Sequence, residues 1–68
     1  MSTLLATFGQ NIINKRKALG ISQEKLALTC NIDRSYLGRV ERGELNITIE
    51  KIYQIANALE IHPRDLLP

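Results

Sequence analysis

The sequence predicts an all-α fold of five short helices without a strand, and three observations carry that expectation. Apolar residues recur at helical spacing along each long segment. Residues of the Ser, Thr and Asp type stand just before those runs, where their side chains can cap a helix start, and Gly20 closes the first of them. Four isoleucines precede helix starts and find an apolar residue five positions on: Ile21 with Leu26, Ile32 with Leu37, Ile47 with Ile52, and Ile61 with Leu66. Each pair is a hydrophobic staple, whose two side chains meet across the cap and set the angle at which the chain joins the helix.

The first helix is expected from near Ser2 or Thr3 to Leu19, with Leu5, Phe8, Ile12 and Leu19 on one face. Arg16 falls on the same stripe. Because an unpaired buried guanidinium costs on the order of several kcal/mol, Arg16 either takes a partner, for which Glu41 is the candidate, or extends to solvent. Ser22 caps a second helix with Leu26, Ala27 and Cys30 inward, and Asp33 caps a third with Leu37 and Val40 inward. Asn31 lies between them and tolerates positive φ, so the chain can turn sharply there. The fourth helix is expected from about Ile49 to Leu59, with Ile52, Ile55, Ala56 and Leu59 inward. Tyr53 lies one residue off that stripe, at the rim of the core or at a partner surface. The fifth, one or two turns from Pro63 to Leu67, starts with a proline whose missing N–H costs nothing at that position.

Sixty-eight residues make one domain, residues 1–68, with a core small enough to need close packing, good caps or dimerisation. No apolar run approaches the roughly 20 residues that span a bilayer. Residues 1–13 lack the basic leader and apolar block of a signal peptide, Cys30 is the one cysteine, and the expected location is cytoplasmic. With His62 the one histidine, Cys30 on a core-facing stripe and the four glycines scattered, no catalytic group, metal site, cofactor or small-molecule ligand is expected. A net charge of +2 says little, but its distribution says more. Residues 14–43 hold seven basic side chains against three acidic ones, and residues 44–68 reverse the sign. Clustered Lys and Arg on one face is the electrostatic footprint of phosphate binding.

Ser22 to Arg42 therefore reads as a helix-turn-helix. The face of its second helix opposite Leu37 and Val40 carries Arg34, Ser35, Gly38, Arg39 and Arg42. Arginine presents a planar fork of donors that matches the O6 and N7 acceptors of guanine. Arg34 stands in the first turn, from which recognition helices reach base edges. Ser35 can donate or accept. Arg39 can lie at a base edge or a phosphate, and Tyr36 at a thymine methyl, at a phosphate or wedged between helices. Gly38 costs about 1 kcal/mol relative to alanine inside a helix, which calls for close approach of DNA or of a neighbouring helix. Arg42 suits a backbone phosphate or its own helix end. Gln23, with a free amide, and Asn46 and Thr48 sit at helix N-termini, where phosphate is well received. Thr48 has a second duty as cap. At the other end, Ile61, Leu66 and Leu67 either cover the core or form an apolar patch for a second copy.

The run Gln23, Leu26, Ala27, Asn31, Ile32, Leu37, Val40, Glu41 resembles the helix-turn-helix of the Cro and phage-repressor (XRE-type) family. Asp33-Arg34-Ser35-Tyr36, Glu41-Arg42-Gly43-Glu44 and Asn46-Ile47-Thr48 resemble its restriction-modification controller branch, with Asn31 where the family more often has glycine. The resemblance implies a compact five-helix, lambda-repressor-like DNA-binding domain that acts as a homodimeric transcriptional regulator on a palindromic operator. It further implies an ion pair between Arg16 and Glu41, a backbone contact from Gln23 and dimerisation. Phage repressor and antitoxin are neighbouring readings, and a helical protein-interaction module is the reading from a different class.

Overall fold

The computed structural model describes residues 3–68, and among them four α-helices form: α1 (Thr3–Ala18), α2 (Gln23–Cys30), α3 (Arg34–Glu41) and α4 (Ile49–Ala58). The fifth helix expected from Pro63 is a single 3-10 turn, Pro63–Asp65, so four α-helices stand where five are expected. The hydrogen bonds there are of the tighter kind, from Asp65 N to His62 O, Leu66 N to Pro63 O and Leu67 N to Arg64 O, at 2.9, 3.0 and 3.3 Å, which a run of a few residues closes without the costly nucleus of an α-helix. No strand occurs among the described residues. Ser2, the alternative start of the first helix, lies outside them.

Short helices leave a large share of their carbonyls without intrahelical partners. Each of the four ends in the same device, a left-handed residue followed by two reversed hydrogen bonds. The left-handed residues are Gly20, Asn31, Gly43 and Glu60, with φ of 72°, 59°, 74° and 58°. The next residue in each case donates back over the last turn: Ile21 to Arg16, Ile32 to Ala27, Glu44 to Arg39 and Ile61 to Ala56, all at 3.0 or 3.1 Å. Three of these four are the isoleucines that also begin the staples. One residue thus closes one helix through its backbone N–H and aims the next through its side chain, which is how the chain turns corners with few loop residues. At the following starts Ser22 Oγ accepts from Lys25 N at 3.0 Å and Thr48 Oγ1 from Lys51 N at 3.2 Å. Asp33 is extended at its cap position but makes no capping bond through its side chain.

The core gathers Phe8 and Ile12 of α1, Leu26, Ala27 and Cys30 of α2, Leu37 and Val40 of α3, Ile55, Ala56 and Leu59 from the fourth helix and its cap, and Leu66. Ile21, Ile32, Ile47, Ile52 and Ile61 pack against it, half-buried. Helix α3 packs on α1 and α2, α2 on α4, and α4 on the terminal turn. Leu19 leaves the expected stripe and is 52% exposed, because α1 stops at Ala18 and the helical period no longer governs the next residue. Leu66, expected as part of a partner surface, is fully buried in this chain's own core. Asn11 Nδ2 holds it there by donating to the Leu66 carbonyl at 2.9 Å.

Two glycines decide how closely α1 meets α3. A Cβ on Gly9 would overlap the Glu41 carbonyl and stand 2.6 Å from that of Val40; one on Gly43 would stand 2.7 Å from Ala6 Cα. Without side chains at both, the backbones come into direct contact, and α3 is seated against α1 at its C-terminal end.

Candidate nucleic-acid interface

The seat of α3 is completed by charge. Glu41, its last residue, turns a carboxylate into the space between α1 and α2, where the side chain is 2% exposed. Arg16 meets it edge-on, Nε to Oε2 at 3.0 Å and Nη2 to Oε1 at 3.2 Å, and a third donor, Arg16 Nη1, reaches the Ile21 carbonyl at 3.2 Å. Gln23 Nε2 donates to Glu41 Oε1 at 2.9 Å. A buried carboxylate is tolerated only with such donors, and these come from α1, from the start of α2 and converge on the end of α3. No buried side-chain N or O among the described residues lacks a partner. The Gln23 amide expected to be free is therefore engaged through its nitrogen.

The opposite side of α3 faces solvent. Arg34, Ser35, Arg39 and Arg42 are exposed there, and with Gln23 and Gly38 they line one shallow polar depression. Gly38 is buried beneath it: a Cβ would lie 3.3 Å from Arg42 Nη1 and 3.6 Å from both amide atoms of Gln23. The position lies beneath the Arg42 side chain and beneath Gln23 at the start of α2, the helix packed against α3.

Of the residues named from the sequence, the depression unites Arg34, Ser35 and Arg39 with Gln23 and Arg42 and leaves three apart. Tyr36 is half-buried against the core. Asn46 and Thr48 are exposed at the start of α4, where the Thr48 hydroxyl is occupied as a cap. Arg42, expected at a backbone phosphate or at its own helix end, pairs instead through its exposed side chain with Glu44, Nε donating to Oε2 at 2.7 Å, and Arg39 Nε stands 3.6 Å from Glu44 Oε1. The Arg42 hydrogen bond holds the Glu44 carboxyl below the usual carboxylate range, and the same bond raises the Arg42 guanidinium. Sequence reasoning misses Glu44, which is five residues from Arg39 and two from Arg42, neither a helical neighbour spacing. The one signal is Gly43, whose left-handed turn folds the chain back.

Elsewhere the structure offers little chemistry. Cys30 is buried, with Sγ 3.9 Å from the Gln54 carbonyl, and burial pushes its thiol up. Among the described residues no cluster of His, Cys, Asp and Glu could hold a metal, and no helix is long and apolar enough to cross a membrane.

A helix-turn-helix family model matches residues 12–66. The control protein C.BamHI of Bacillus amyloliquefaciens is 41% identical over 61 residues, covering 88% of this chain and 75% of that protein. The structure resembles that of the restriction-modification controller protein C.AhdI from Aeromonas hydrophila, with a TM-score of 0.90 at 48% identity over 93% of this chain and 96% of that one. It also resembles the controller C.Esp1396I, solved as a tetramer with its natural 35 base-pair operator, at a TM-score of 0.89 and 33% identity over 97% and 87% of the two chains.

Proposed function

This chain belongs to the helix-turn-helix family, and on that premise we propose that it is a sequence-specific DNA-binding transcriptional regulator of the restriction-modification controller kind. The observation that carries the reading is the outward face of α3. Three arginines and a serine project there from a helix locked at its far end by the buried Glu41. A recognition helix must be held rigidly, because base-edge hydrogen bonds tolerate only small errors of position.

In this reading α3 enters the major groove with Arg34 and Ser35 foremost and Arg39 behind them at a base edge or a phosphate. Gln23 and Arg42 flank the helix and take the sugar-phosphate backbone, joined by Asn46 and the amide end of α4 near Thr48. The half-buried Tyr36 has less reach than the arginines and contributes its ring edge at most. The active species is a homodimer. A second copy covers the apolar end around Ile61 and Leu67, where Leu67 is 49% and nearby Tyr53 55% exposed. The two-fold axis then requires a palindromic operator, with half-sites centred about 10 base pairs apart or a multiple of that.

The test is fluorescence anisotropy of a labelled duplex titrated with the chain at several salt concentrations. The logarithm of affinity should fall linearly with the logarithm of salt, because bound phosphates release their counterions. Selection from a randomised pool should enrich two-fold symmetric sequences. A chain with no affinity for any duplex at low salt refutes the reading.

A further inference from the structure

Helix α3 ends with Gly43 N–H donating to the Val40 carbonyl and Glu44 N–H to the Arg39 carbonyl, both at 3.0 Å. These bonds pin the Glu44 backbone to the helix it follows and bring its side chain back over the last turn. The carboxylate spans two arginines of the outward face: Oε2 takes the Arg42 Nε hydrogen at 2.7 Å, and Oε1 lies 3.6 Å from Arg39 Nε. Both contacts use the Nε edge of the guanidinium. Each arginine keeps Nη hydrogens for another acceptor, since the group carries five donors in a fixed plane.

We propose that Glu44 is a specificity-determining residue of the DNA interface, which orients Arg39 and Arg42 by their Nε edges and cancels part of their attraction for phosphate. The proposal rests on the DNA-binding reading above. Phosphate attraction is the same at every sequence and supplies essentially all of non-specific binding. A carboxylate set between two arginines reduces that shared contribution. It leaves Arg34 untouched, for Arg34 forms no ion pair among the described residues. Glu44 is an exposed carboxylate, ionised at neutral pH like any other, and the Arg42 hydrogen bond lowers its carboxyl further. As a solvent-exposed bridge it adds little to folding. The charge it cancels weighs on every duplex alike, whereas the orientation it gives Arg39 and Arg42 is what enters the ratio of two affinities.

Glu44→Gln keeps the shape of the side chain and the backbone bonds of the turn while removing the charge. The variant and the wild-type chain are each titrated with two duplexes of equal length, one selected by the wild type from a randomised pool and one of random sequence. The variant should bind random DNA about 5-fold to 10-fold more tightly at low salt, with a salt slope steeper by about 0.9, and should lose about 3-fold in its preference for the selected duplex. Equal preference in the two proteins overturns the role of Glu44, as does weaker binding of the variant to both duplexes. A wild-type chain that enriches no sequence from the pool and binds no random duplex at low salt overturns the DNA reading, and this role with it. Thermal melting by circular dichroism accompanies the titrations, and the two proteins should melt alike; the same comparison on Glu44→Ala separates loss of charge from any new amide contact.

Discussion

Glu41 at the end of α3 and Arg16 on α1 face each other edge to edge, with two N–H to O bonds of 3.0 and 3.2 Å and only 2% of the Glu41 side chain open to solvent. Removing one partner of such a pair strands the other charge. Glu41→Leu should therefore lower unfolding free energy by about 3–5 kcal/mol, much of a small domain's total. The replacement of both, Arg16→Met with Glu41→Leu, should cost clearly less than the two single changes added together, since it leaves no unpaired charge. Urea denaturation of the four proteins measures the cycle; additive losses would mean that the pair is not coupled.

Gly9 sits in mid-helix, where alanine would ordinarily stabilise by up to about 1 kcal/mol. Here its added carbon would run into the Glu41 and Val40 carbonyls. Gly9→Ala should instead destabilise by about 1–3 kcal/mol, because the meeting atoms are backbone and cannot swing away. The same urea transition reads the sign.

Glu60 closes α4 in the left-handed region, at φ 58°, which glycine occupies far more readily. Its side chain is exposed, so little packing is lost by removing it. Glu60→Gly should raise the melting temperature, with a gain of about 0.5–1 kcal/mol. An unchanged or lower melting temperature would show that the glutamate contributes something the strain does not reveal.

Arg34 and Gln23 should separate by the kind of loss they cause. Arg34→Ala is expected to relax discrimination at one base-pair position by about 1–3 kcal/mol, whereas Gln23→Ala should weaken binding to all sequences alike. Competition with single-position variants of the selected duplex distinguishes the two. Equal losses on selected and random DNA in the Arg34→Ala protein would remove Arg34 from base reading.

Much of the fold is legible in the chain because it rests on interactions a few residues long. The caps at Ser22 and Thr48, the left-handed turn at Asn31 and the isoleucine before each later start lie within one turn of what they control. The inward sets follow from helical period, which fails towards the ends of α1: Leu19 lies past its last residue and is exposed, and Leu5, in its first turn, is half-buried and outside the core. The exposure of Arg34, Ser35, Arg39 and Arg42 follows from the same period once Leu37 and Val40 face in. Less legible are relations that need the third dimension. Glu60 carries no sign of positive φ, since it is neither glycine nor asparagine. Gly9 resembles any helical glycine until the carbonyls of α3 are beside it. Asn11 and Leu66, bonded across 55 residues, share no pattern in the sequence.

By itself the sequence determined where the later helices begin, which faces turn inward and that a basic face would lie opposite Leu37 and Val40. These depend on backbone dihedrals, capping and period, which are set locally. The tertiary structure alone decided that the terminal segment is one 3-10 turn with Leu66 in the core, that Gln23 gives its amide to Glu41, and that Glu44 stands between Arg39 and Arg42. Each of these turns on which side chains arrive at one place from different helices or around a tight turn, and helical spacing does not encode that.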